Sequence, residues 1–174
     1  MIPGIVAKKR RALSVGDPYW NSVLLLINGD SGLTDETGGT NTTGSFSQIT
    51  DGDFPNGGLD TASDSSWLVS TGSPSSYFDM AGDFTIEWMY RAATKIDQFP
   101  FVMAGVSTDP SGTWPGAFTV VDRHNSYPNR FTVFLGNSVV MESSTAPVVG
   151  EVYHLALVRS GTLITFYVNG TAGS

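Results

Sequence analysis

Few residues of this chain can do acid–base or nucleophilic work. There are two histidines (His124 and His154), four glutamates (Glu36, Glu87, Glu142 and Glu151) and no cysteine. The lack of thiols excludes disulfides, thiolate nucleophiles and Cys-ligated zinc, while leaving the redox compartment open. Retaining glycoside hydrolysis needs two carboxyl groups about 5 Å apart, which a strand can supply from alternate positions. Glu87 lies on the main strand of the chain, but its neighbours at alternate positions are Thr85 and Met89. It is expected to be a polar residue on the face opposite Trp88. His124 sits beside Asp122, Arg123 and Asn125 in a turn, where it caps or solvates the turn. A Ser-His-Asp site lacks its nucleophile-elbow motif. The expectation is a protein that is not an enzyme.

Binding chemistry offers more. Trp114, between Thr113 and Pro115, and Tyr127, before Pro128, are loop aromatics that could stack on a sugar ring. The alternative for both is to cover the ends of a core, where aromatic side chains bury large areas. Lys8, Lys9, Arg10 and Arg11 form the one basic cluster in a chain of net charge −7. That balance argues against nucleic acid as a partner. The cluster reads either as a solvated tail or as an arm that docks on an acidic protein surface. Ile2 to Val6 is too short for a secretion signal and precedes the basic residues instead of following them. Asn41-Thr42-Thr43 and Asn169-Gly170-Thr171 match the N-glycosylation pattern, which is uninformative without a secreted context.

The elements that must carry these residues are strands. Phe84, Ile86, Trp88 and Tyr90 alternate with Thr85, Glu87, Met89 and Arg91, the period of two that sends side chains to opposite faces. Residues 153–159 and 163–168 repeat the pattern around Ser160, Gly161 and Thr162, a short hairpin connection. These three strands are expected to form the centre of a sheet. Residues 23–27 are a continuous apolar strand, far short of the ~20 residues that cross a bilayer. Residues 29–64 read as long loops with one or two short strands and a turn at Pro55, Asn56, Gly57 and Gly58. Residues 67–69 make another strand, with turn-forming residues from Ser70 to Ser76. Further strands are expected at 99–104, 117–121, 130–135 and 138–141, before a loop closed by Pro147 and Gly150. With 174 residues, 20 glycines and no helical periodicity, one all-β domain of about ten strands follows, a two-sheet antiparallel sandwich of jelly-roll type. Residues 1–16 form an extended N-terminal arm, and residues 17–174 the sandwich.

Two segments carry a family resemblance. Residues 83–91 resemble a motif of an acidic residue followed by Phe, Thr, Ile, Glu and an aromatic. Val152, Tyr153, His154 and the alternation to Arg159, followed by Tyr167, Val168, Asn169 and Gly170, are similar to its partner hairpin. Together they look like the concanavalin A-like lectin/glucanase jelly roll in its laminin G-like branch. Asp17, Pro18, Tyr19 and Trp20 with residues 23–27, and Asp35 to Gly38, resemble tailed-phage proteins that begin with such a domain. The resemblance covers roughly residues 17–170, and His154 matches a common structural histidine of the family.

That resemblance implies a structural virion protein (capsid decoration, neck, tail or fibre) residing in the phage particle. It would dock through Lys8, Lys9, Arg10 and Arg11 on other virion proteins and assemble with copies of itself, without nucleic acid or membrane insertion. The alternative is a lectin-like module that binds host-surface glycan. A glycoside hydrolase is disfavoured because the acidic triplet of the glucanase branch is missing. No cofactor is expected. Calcium is the one metal the family suggests, with Asp51, Asp53 and Asp60 as hard oxygen ligands, although Asp and Gly also fill loops for turn geometry alone. Family members continue past the Asn-Gly turn with further strands, whereas four residues follow it here. The expectation is that this sequence is the front part of a longer product, or that a neighbouring chain covers the strand edge.

Overall fold

A computed structural model describes residues 40–44, 47–54, 57–60, 68–72, 82–92, 101–103, 118–121, 130–135 and 138–173. All regular structure among them is antiparallel β, in twelve strands. The arm 1–16 and the apolar run 23–27 lie outside the described residues. The chain divides into two compact units, one holding the first four strands and the other the remaining eight.

In the first unit, β1 (Thr40–Gly44) pairs with β4 (Leu68–Gly72), and β2 (Ser47–Ile49) with β3 (Gly58–Asp60). Residues 29–64 thus hold three strands instead of one or two. The turn expected from Ser70 is also corrected, because Ser70, Thr71 and Gly72 continue β4 opposite Thr42, Asn41 and Thr40. Ser and Thr favour turns when their hydroxyls capture nearby backbone. Opposite a threonine-rich strand the ladder supplies those bonds instead, and β-branched Thr suits a strand. Gly57 stands at φ +90° with its N–H donating to the Phe54 carbonyl, while Pro55 and Asn56 of the expected turn lie outside the described residues.

The second unit contains two four-stranded sheets. In one, β5 (Phe84–Arg91), β10 (Val152–Ser160), β11 (Leu163–Val168) and β12 (Thr171–Ala172) lie in the order β12-β11-β10-β5. Among the described residues β10 has a long partner on each side, and β5 stands last in that order. The register sets Leu155 between Trp88 and Val168, and Leu157 between Ile86 and Phe166. Paired residues share a face, so Trp88, Tyr90, Leu155, Leu157, Phe166 and Val168 form one buried surface. Burying each large apolar side chain contributes about 1.5–3 kcal/mol.

The turn from β11 to β12 uses Asn169 at φ +50° and Gly170 at φ +77°. Two positive φ values define the type I′ hairpin, whose twist matches that of the strands and which selects Asn-Gly. The Asn169 side chain also completes the β10 ladder, its Oδ1 accepting from the His154 N–H at 2.8 Å. Gly173 follows, donating to the Phe166 carbonyl. A Cβ at Gly173 would stand 2.5 Å from the Glu142 backbone oxygen, so glycine permits this close approach to the other sheet.

The other sheet has the order β6 (Phe101–Met103), β7 (Phe118–Val121), β8 (Thr132–Leu135) and β9 (Ser138–Glu142). A bulge follows Val133, which pairs with Met141 while Phe134 pairs with Val139, leaving Val140 over and exposed. The two sheets meet at Phe131. Its ring lies 5.1 Å from Tyr153, 6.2 Å from Tyr90 and 6.4 Å from Phe166, each contact edge-to-face.

Candidate functional site

The solvent-side face of β5 and β10 brings together the acid–base residues that the sequence separates by 67 positions. Glu87 pairs in register with Ala156, and His154 with Met89, so the two polar side chains are diagonal neighbours. His154 Nε2 stands 3.3 Å from Glu87 Oε2, with the side chains 44% and 62% exposed. Glu87 therefore lies opposite buried Trp88, as its place in the alternation requires. The carboxylate nearest to it in sequence, Asp83, precedes the strand, and its Oδ1 accepts the Gly161 N–H at 2.6 Å. That bond ties the β10–β11 turn to the start of β5.

Glu142 and Asp51 also have local partners. Glu142 Oε2 meets Arg130 Nη1 at 2.7 Å. Asp51 Oδ1 accepts the N–H groups of Asp53 and Phe54, both at 2.9 Å, the side-chain turn that Asp favours in loops. Among the described residues, no three His, Cys, Asp or Glu are grouped to hold a metal ion. Asp60 ends β3 opposite Ser47, and its side chain is not described. Lys8, Lys9, Arg10, Arg11, Trp114, Tyr127 and His124 lie outside the described residues.

Loop 143–151, between β9 and β10, is more than the simple closure expected at Pro147 and Gly150. Ser143 is buried and prolongs the β8–β9 ladder with its side chain. Its Oγ accepts from the Phe131 N–H at 3.0 Å and donates to the Thr145 carbonyl at 2.8 Å. Tyr153, buried against Phe131, reaches back through its hydroxyl. That oxygen accepts from the Val148 N–H at 2.9 Å and donates to the Ala146 carbonyl at 3.4 Å. Burial pushes the Tyr153 phenol above its usual range. The Val148 N–H acts in the opposite direction, and the Glu151 charge adds to the rise.

A third tie joins the Gly150 N–H to the Ala92 carbonyl at 2.8 Å, with Gly150 at φ +87°. The loop so fastened buries Pro147 yet leaves Val148 52% and Val149 44% exposed. Two adjacent valines between a proline and a glycine are the signal the sequence offered. The tether itself was not readable, because it depends on a tyrosine in the next strand.

Comparison of the chain with protein-family models, with curated proteins and with solved structures finds no match. The fold is all-β with antiparallel sheets among the described residues. Among the described residues, no helix is long and apolar enough to cross a membrane.

Proposed function

We propose that this chain is a structural protein of a tailed-phage virion, a capsid-decoration, neck or tail component. Residues 17–174 form a concanavalin A-like jelly-roll sandwich. Residues 1–16 are a basic arm that docks on other virion proteins. The role is mechanical: the arm orders on a partner surface, gaining affinity from charge and chain burial, while the β-domain projects or cements neighbours.

The observation that carries this reading is the joining of β5 to the β10–β11 hairpin. Trp88 faces Leu155, Phe166 faces Leu157, and the hairpin runs on into the Asn169-Gly170 turn. Those are the segments through which the sequence resembles the concanavalin A-like jelly roll in its laminin G-like branch, and the phage resemblance rests on residues 17–20, 23–27 and 35–38. A non-catalytic role draws support from the polar contacts of Asp51, Asp83 and Glu142, which serve turn or strand geometry. Deleting residues 1–13 is expected to abolish incorporation into particles without lowering the melting temperature of the β-domain. Undiminished incorporation of the shortened chain would refute the proposal.

A further inference from the structure

We infer that the arm's partner is a second copy of this chain, and that loop 143–151 of that copy receives it. The inference rests on reading residues 1–16 as a docking arm, and it names the surface the arm grips.

Charge distribution is the first support. Four of the nine basic residues and none of the sixteen acidic ones lie in residues 1–16. The arm therefore carries +4, and the rest of the chain, with five basic residues against sixteen acidic, carries −11. Copies of such a molecule present each other with complementary ends, which steers encounter and fixes orientation.

The loop is the second. Exposed apolar side chains are costly to hold in place unless the backbone beneath them is already ordered. Here Ser143, Tyr153 and Gly150 tie it at three points. Binding to such a loop loses little conformational freedom on the receiving side. Val148 and Val149 stand outward, and exposed Glu151 follows one residue later. The arm repeats that spacing with opposite charge: Ile5 and Val6, then Ala7, then Lys8 to Arg11. Val148 to Glu151 form a turn in which the Glu151 N–H donates to the Val148 carbonyl at 3.2 Å. The valines and the carboxylate therefore crowd one small surface, which Ile5 and Val6 would cover with the lysines beside Glu151.

Each copy offers one arm and one loop, so two copies satisfy both by exchanging arms about a two-fold axis, and larger rings or a chain of subunits satisfy them equally.

The test uses the full-length chain. Equal amounts of 14N- and 15N-labelled protein are mixed at low salt and treated with a carbodiimide, which joins an amine directly to a carboxylate. Peptides linking Lys8 or Lys9 to Glu151 are expected in mixed-isotope form. Sedimentation should show self-association that weakens at least ~10-fold between about 0.05 and 0.5 M salt. Reversing the arm charges (Lys8→Glu, Lys9→Glu, Arg10→Glu and Arg11→Glu together) should abolish it. So should Val148→Asp with Val149→Asp, and the near-isosteric Val148→Thr with Val149→Thr should weaken it without shifting the melting temperature.

Same-isotope peptides alone would mean that the arm folds onto its own loop, and would overturn the inference. Association untouched by the valine changes would overturn it too, as would a chain that stays monomeric at about 100 μM in low salt, well above the Kd of ordinary specific contacts. If that monomer still enters particles in an arm-dependent way, the virion reading stands and only self-docking fails. Self-association with no particle incorporation leaves the contact intact and removes the virion role.

Discussion

Two strands of the second unit, β5 in one sheet and β8 in the other, treat their faces differently. Along β5, burial alternates with the sequence: Trp88 and Tyr90 are buried, while Thr85 and Glu87 are exposed. At the start of β8 the alternation fails, and Phe131, Thr132 and Val133 are buried in succession. A strand with one wet face must write its polar residues at every second position. A strand dry on both faces need not, and the sequence then loses the signal that tells inside from outside. The cost shows at Thr132, 0% exposed, whose hydroxyl has no hydrogen-bond partner among the described residues.

The largest effect should come from the residue that joins the two sheets. Phe131 touches Tyr90, Tyr153 and Phe166, and Phe131→Ala leaves a cavity between three aromatic rings. Equilibrium denaturation should show a loss of about 3–5 kcal/mol. A loss below ~1 kcal/mol would mean that the sheets do not depend on each other through this ring.

Tyr153→Phe tests the tether that runs from one sheet to the loop after the other. It keeps the ring against Phe131 but strands the Val148 N–H, at an expected cost of about 1–3 kcal/mol. Amide exchange at Val148 should rise before exchange in β10. The pH dependence has a definite sign. The folded-state pKa of Tyr153 is raised, so the native state holds this proton more tightly than the unfolded chain does. The associated stability is present below the ordinary phenol value of about 10 and is lost as pH rises through the raised one. Wild-type protein should therefore weaken in alkali more steeply than Tyr153→Phe.

The two sheets also differ in how far they could be read from the sequence. The β5, β10 and β11 segments were legible because large apolar residues alternate with polar ones and Asn169-Gly170 marks the turn. The faces of Glu87 and Trp88 followed directly. The order of those strands did not, since alternation says which side chains are buried and not which strand neighbours which. β4 was misplaced in part because Ser70 and Thr71 suit a turn or a ladder equally, and only pairing with β1 decides between them. The Glu87–His154 contact needed the register, and the loop at Val148 needed the hydroxyl of Tyr153. Neither is local in sequence.

Thr132→Val sharpens the contrast because the expected sign is the reverse of most core substitutions. Valine fills nearly the same volume, removes a buried hydroxyl with no partner among the described residues, and suits a strand. A gain of up to about 1 kcal/mol is expected. Thr85→Val, on the exposed face of β5, should fall within ~0.5 kcal/mol of wild type. If Thr132→Val is clearly destabilising, the hydroxyl is satisfied, and the far face of β8 is wetter than the contrast requires.

The smallest effect belongs to the wet face itself. Glu87 and His154 are close enough for an ion pair, but with side chains 62% and 44% exposed the attraction is screened and opposed by side-chain entropy. A double-mutant cycle with Glu87→Gln and His154→Gln should return a coupling below about 0.5 kcal/mol, shrinking further in salt. The backbone bond from His154 N–H to Asn169 Oδ1 is untouched by either change, so the cycle isolates the side-chain pair. A coupling above ~1 kcal/mol that resists salt would require the pair to be shielded from water. The outer surface of β5 and β10 would then be covered in solution, and the alternation along β5 would reflect a second buried interface, not a solvated face.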